Sequence, residues 1–168
     1  MVDLATKDLR KPRPWQPQLY PGARIGLVHA GGLGDVVATL PMAGAIKSAC
    51  PNAEIVFIGR RYTEPLVRAS RHVDSFLDLA NSNADVVAAQ RLDILLNPNF
   101  NVAIAQTAVR AGVPVRIGNL RRSASWRWCN RFAFYGREFT GLHEAALNLR
   151  DLRPLGLRLT PSPGEMAA

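Results

Sequence analysis

The sequence predicts an α/β protein with a Rossmann-like parallel sheet and flanking helices. Three observations carry that prediction. Short, almost unbroken apolar runs recur at 25–29, 54–58, 93–97 and 113–117, as strands buried on both faces require. Stretches with apolar residues at helical spacing separate them. A glycine-rich turn, Gly31-Gly32-Leu33-Gly34, joins the first run to the first such stretch, which is how a βαβ unit opens. Strands that alternate with helices give a parallel sheet with right-handed crossovers.

Taken in order, residues 1–23 hold Pro12, Pro14, Pro17 and Pro21 with basic residues between them, and read as an extended lead-in that Trp15 and Tyr20 tack onto the body. The first strand is 25–29. A helix over about 35–49 follows, with Val36, Leu40, Ala43, Ile46 and Cys50 at helical spacing and a kink or loosened turn expected at Pro41. Pro51-Asn52 makes the turn into the second strand, 54–58. A helix at 62–69, a short strand at 75–79, a short helix at 83–90 and a buried strand at 93–97 come next. The loop Pro98-Asn99-Phe100-Asn101 leads to a helix at 102–111 closed by Gly112, and 113–117 is the last strand expected. Segment 118–137 breaks the alternation. An amphipathic helix at 143–153 carries Ala145, Leu149 and Leu152 on one face, and Pro154 and Gly156 stop it. Residues 158–168 read as a Pro/Ser tail of linker type, leaving 24–157 as one domain.

Composition narrows the function classes. With 168 residues, nearly half of them apolar, one domain with a proper core is expected rather than a disordered chain. The formal charge of 21 − 13 = +8 favours acidic partners: nucleic acid, anionic lipid or a phosphorylated substrate. Lys7, Lys11 and Lys47 are the only lysines, and an arginine bias suits bidentate contacts to phosphate or carboxylate. Cys50 and Cys129 form neither a metal-spaced pair nor a disulfide framework, so a reducing cytoplasm is the default. His29, His72 and His143 give no metal constellation. No apolar run approaches the ~20 residues of a membrane span, and no signal peptide is visible.

The glycine-rich turn is the chemical focus. Most such loops hold a phosphate at a helix N-terminus, where free N–H groups and the dipole attract anions. Asp35 puts a carboxylate where the anion would sit, so it is expected to face a hydroxyl, a cation or the helix's own N–H groups. A P-loop fails because no lysine or hydroxyl follows Gly34. A dinucleotide fingerprint finds its first two glycines in Gly32 and Gly34, but Val37 stands where the third belongs. Arg60-Arg61 replaces the usual acid after the second strand, and an arginine there accommodates the 2′-phosphate of NADP, so that reading stays open.

A second feature is basic and aromatic. Between 110 and 137 lie Arg110, Arg116, Arg121, Arg122, Arg127, Arg131 and Arg137, with no acid and with Trp126, Trp128, Phe132, Phe134 and Tyr135 interleaved. Such a segment is either a solvated loop whose aromatics pack on the sheet, or a surface for an anionic ligand or bilayer. A nucleic-acid groove uses the same residue types, but no RNA- or DNA-binding motif accompanies them.

Several motifs in a fixed order resemble glycosyltransferase family nine, the lipopolysaccharide heptosyltransferases. They are Gly31-Gly32-Leu33-Gly34-Asp35-Val36-Val37-Ala38-Thr39-Leu40-Pro41, then Cys50-Pro51-Asn52-Ala53-Glu54-Ile55, Val115-Arg116-Ile117-Gly118, and His143-Glu144 with Asn148-Leu149 up to Leu155-Gly156-Leu157. The match runs over about 24–157 and resembles the N-terminal, acceptor-binding domain of a two-domain B-type glycosyltransferase. The resemblance implies an inverting transfer from ADP-heptose to phosphorylated lipopolysaccharide core, with Asp35 at the family's position for the general base and no cofactor or metal. It further implies acceptor contacts from Gly31, Gly32, Gly34, Arg60, Arg61, Asn99, Arg121 and Arg122, with Asn101 and His29 also near the cleft. The nucleotide sugar would belong to a donor domain that this chain lacks, making unaided catalysis unexpected. The expected place of work is the cytoplasm, at the inner face of the inner membrane through peripheral contact with anionic lipid. The family often carries arginine at the position of His29 and serines at those of Gly31 and Gly32, so this chain's acceptor is its own question. Two other readings stand beside this one: an NADP-binding Rossmann module, and a non-enzymatic module binding anionic lipid or nucleic acid.

Overall fold

A computed structural model describes residues 19–120, 124–133 and 143–157. Six parallel strands form one sheet: β1 (Arg24–His29), β2 (Glu54–Gly59), β3 (Ser75–Asp78), β4 (Ile94–Asn97), β5 (Val115–Asn119) and β6 (Arg131–Ala133). Their spatial order is β3-β2-β1-β4-β5-β6, the doubly wound order in which the chain reverses direction between β1 and β4. Helices α1 (Leu33–Ala49), α2 (Glu64–Arg68), α3 (Ala84–Ala89), α4 (Val102–Arg110), α5 (Ser125–Trp128) and α6 (Glu144–Arg150) connect or flank the strands. The α/β class and parallel sheet expected from the sequence are what the chain forms.

Alternation along the central strands divides the core. Ile25, Leu27, Ile55, Phe57, Ile94, Leu96, Val115 and Ile117 face one way and pack with Val36, Met42, Ala43 and Ile46 of α1 and Leu149 of α6. Val28, Val56, Ile58 and Leu95 face the other way, against Val87 of α3 and Ile104 and Ala108 of α4. Burial on both faces explains why these strands read as continuous apolar runs. The register sets Leu27 opposite Phe57 on one side and Leu96 on the other. Gly26 points into the second layer, where a Cβ would stand 2.7 Å from Leu92 Cδ1. Ala23 is fully buried and Leu19 and Tyr20 pack against the core, so core packing includes residues ahead of β1. Tyr20 hydrogen-bonds Asp93, and burial together with that carboxylate pushes its phenol well above the usual range.

Three local details differ from the sequence expectation. The helix expected at 62–69 is a 3₁₀ turn, Arg61–Thr63, running into α2, because Pro65 supplies no N–H and suits a helix start. The helix at 143–153 stops at Arg150, and a 3₁₀ turn, Arg153–Leu155, ends on Gly156 with φ +86°. The 118–137 segment contributes α5 and the edge strand β6, where no strand was expected. Asn130 fastens that edge: its Oδ1 accepts from Arg116 N–H at 2.9 Å and its amide donates to Pro114 O at 2.7 Å. Arg116 donates its guanidinium to the carbonyls of Trp128 and Val113, and Arg127 lies over the Trp128 ring at 5.5 Å. Arg131 donates to Asn130 O at 2.8 Å, so at least three arginines of the basic run have structural contacts among the described residues.

Helix α1 stays continuous through Pro41. Its N-terminal half is tied to α6 by Asn148, whose buried amide donates to Ala38 O at 3.1 Å and lies 3.4 Å from Thr39 Oγ1. Thr39 in turn donates to Asp35 O at 2.9 Å. Among the described residues no helix is long and apolar enough to cross a membrane.

Candidate functional site

Parallel strands point their carboxyl ends at one edge, and the reversal between β1 and β4 opens a crevice there. A cavity of about 460 Å³ occupies it, lined by His29, Gly31, Asp35, Asn97, Asn99 and Glu144 among others. Each wall comes from a different element. His29 ends β1, Gly31 and Asp35 belong to the turn and first turn of α1, Asn97 ends β4, Asn99 follows it, and Glu144 opens α6.

Asp35 is exposed at the rim. Its Oδ2 accepts from Gly32 N–H at 2.9 Å, so it does cap its own helix, while Oδ1 has no hydrogen-bond partner among the described residues. That leaves one oxygen for a ligand and one to fix the group's orientation. The cap also takes the Gly32 N–H that a bound anion would otherwise use.

The glycines differ in what they do. At Gly31 a Cβ would stand 2.5 Å from His29 Cε1 and closer still to Asp35 Oδ2, so only glycine fits. Gly32 is the N-cap, and a Cβ there would meet Asp35 Oδ2 only at 3.8 Å. Gly34 lies inside α1 with open space around its Cβ position. A paired substitution tests this. Gly31→Ala is expected to lower stability by about 1–3 kcal/mol through overpacking. Gly34→Ala is expected to be neutral or to stabilise by about 0.4–1 kcal/mol. Urea unfolding measures both, and equal effects would show that the space at Gly31 does not matter.

His29 is 2% exposed. Its Nδ1 accepts from Gly31 N–H at 3.0 Å, and its Nε2 meets the side-chain amide of Asn99. Burial lowers its pKa below 6.5, against the opposing pull of the Asp35 and Glu144 carboxylates, so the ring is neutral at pH 7. Asn97, also buried, donates to Asn101 O at 2.9 Å and accepts from Asn101 N–H at 2.8 Å, while Asn101 Oδ1 accepts from Ile104 N–H at 3.1 Å. Asn97 and Asn101 therefore shape the loop that presents Asn99. Tyr62, from the neighbouring turn, donates its hydroxyl to Gly31 O at 3.1 Å.

Arg60 and Arg61 are exposed just beyond β2, one strand over from the cleft, and do not line it. Arg121 and Arg122 lie outside the described residues. Glu144 was not singled out as a cleft residue from sequence, although His143-Glu144 was noted as a motif. Nothing local in the sequence marks it as lining the cleft with Asp35. No group of three or more His, Cys, Asp or Glu that could hold a metal occurs among the described residues.

No family model and no curated protein matches the chain. Solved structures do match its fold. A glycosyl transferase family 9 protein from Veillonella parvula is 21% identical with a TM-score of 0.65, over 84% of this chain and 43% of that one. The Escherichia coli heptosyltransferase WaaC, solved with ADP, is 16% identical with a TM-score of 0.68, over 86% of this chain and 50% of that one. The E. coli ADP-heptose lps heptosyltransferase II is 17% identical with a TM-score of 0.61, over 68% and 36%. The chain thus spans half or less of the length of each of these three.

Proposed function

We propose that the chain is the acceptor-binding half of an inverting glycosyltransferase, with Asp35 as general base. The substrates we infer are ADP-heptose as donor and a phosphorylated lipopolysaccharide core sugar as acceptor, the nucleotide sugar being held by a separate donor domain. The observation that carries this reading is the Asp35 carboxylate at the rim of the strand-reversal cleft, oriented through Oδ2 and open at Oδ1. The acceptor hydroxyl attacks the anomeric carbon as the bond to the ADP oxygen breaks. Its proton passes to Asp35, and ADP leaves with the bonding pair. A base serves this step within about 2.6–3.2 Å of the hydroxyl oxygen.

Asn99 and the polar cleft walls suit hydroxyl groups, and Gly31, Gly32 and Gly34 keep the turn free of bulk on the acceptor's path. We assign the acceptor's phosphates to Arg60, Arg61, Arg121 and Arg122, through charge-assisted bonds. Leu33 and Val37, one helical turn apart on α1, are 50% and 54% exposed, and Tyr62 is 54% exposed near the two arginines. An apolar and basic rim of this kind supports peripheral contact with an anionic bilayer on the cytoplasmic side. The NADP reading keeps Arg60-Arg61 as its support, but Asp35 already occupies the Gly32 N–H that a pyrophosphate would seek.

The experiment is to join the chain to a donor half and supply ADP-heptose with a heptose-free core acceptor. A mass increase of one heptose on the acceptor is expected. Absence of transfer together with tight NADPH binding by the chain would overturn the proposal.

A further inference from the structure

His29 is joined to both sides of the strand reversal. Nδ1 accepts from Gly31 N–H, so it carries no proton, and in a neutral ring the proton must then sit on Nε2. Asn99 Nδ2 is placed against Nε2, and the tautomer set by Gly31 N–H requires that amide turned over, so that its oxygen accepts the Nε2 proton. One imidazole thus ties the turn after β1 to the loop after β4.

What hangs from Gly31 makes this tie matter. The peptide between Gly31 and Gly32 is held through its carbonyl by Tyr62 and through its N–H by Asp35 Oδ2. The Gly31 Cα has no spare room, being closed in by the His29 ring and the Asp35 carboxylate. Turning Gly31 N–H away from His29 therefore turns the peptide that orients Asp35.

We propose that His29 is a positioning residue, a neutral latch whose protonation releases the turn that holds Asp35. An imidazolium donates from both nitrogens, so its Nδ1–H would face Gly31 N–H, donor against donor. The ionisable groups acting on the ring among the described residues are Asp35 from α1 and Glu144 from α6, and both favour the charged form. Burial opposes them and dominates, which keeps the latch closed at neutral pH. Below 6.5 the unfolded chain takes up a proton that the folded chain resists. This contribution to stability is therefore full above that pH and is lost as pH falls toward the lowered folded value. The inference deepens the reading of Asp35 as base, yet its test needs no transfer reaction.

The test is NMR on the isotopically labelled, full 168-residue chain. Long-range proton–nitrogen spectra are expected to show the Nε2–H tautomer for His29. On acidification from about pH 8 to 4.5, a range that brackets the ordinary histidine value, the Gly31 and Gly32 amides are expected to shift with one midpoint below 6.5. The Asp35 carboxyl carbon is expected to show an inflection at the same midpoint. In His29→Asn, whose amide oxygen can replace Nδ1 as acceptor without titrating, the Gly31 amide profile should go flat. An Nδ1–H tautomer, or a Gly31 amide indifferent to His29 titration in the wild-type chain, would overturn the latch whether or not the variant folds. An inactive chimera would leave the latch standing, and a failed latch would leave Asp35 as base untouched.

Discussion

Asp35→Asn, made in the chain joined to a donor half, is expected to cut kcat by about 10²- to 10⁴-fold, the usual contribution of a general base. That corresponds to about 3–5 kcal/mol of transition-state stabilisation. The variant isolates the proton transfer because the amide oxygen of asparagine can still accept from Gly32 N–H and keep the cap. KM for the acceptor is expected to stay within a few-fold, since the hydroxyl-binding walls are untouched and only an interaction made in the transition state is lost. Steady-state kinetics with varied acceptor separates the two parameters. If turnover survives the substitution, another group takes the proton, and Glu144, which lines the same cleft, is the next to replace.

Phe57→Ala is expected to produce the largest loss of stability, about 3–5 kcal/mol. The ring is fully buried in the middle of β2 and lies almost parallel to Phe76 of β3, with centroids 6.4 Å apart. It also packs under Gly59, where a Cβ would come within 2.9 Å of Phe57 Cε1, so the same ring supports the exit toward Arg60. No neighbouring side chain is free to fill the void, because Ile25, Leu27 and Ile55 are themselves fully buried around it. Against the 5–15 kcal/mol typical of a domain, this is a large fraction. Urea unfolding should show a lower midpoint with little change in slope. A loss below about 1 kcal/mol would mean that the sheet relaxes around the gap.

The parallel sheet was legible because burial on both faces writes itself as apolar runs, and Ile25 to Val28 and Ile55 to Ile58 leave no other interpretation. Edge β6 was not legible. Three residues, Arg131, Phe132 and Ala133, carry no periodicity, and Asn130 fastens them by long-range hydrogen bonds to Pro114 and Arg116. The position of Asp35 in the first turn of a helix beside the cleft followed from the glycine-rich turn alone. Its division into one tethered and one open oxygen did not, since that depends on the Gly32 N–H direction. The roles of Asn97 and Glu144 needed the topology, which brings strand ends and a helix start to one edge although they are distant in sequence. The crowding at Gly31, which sets it apart from Gly32 and Gly34, depends on the His29 and Asp35 side chains folded against it and was not legible.

The bond from Asn148 to Ala38 joins residues 110 positions apart. For a chain leaving the ribosome, β1, α1 and β2 can assemble early from near neighbours, whereas this long-range closure must wait for almost the whole body to emerge. The helix that carries Glu144 emerges with Asn148, long after the turn that carries Asp35, so during biosynthesis a bare half-cleft precedes the finished one.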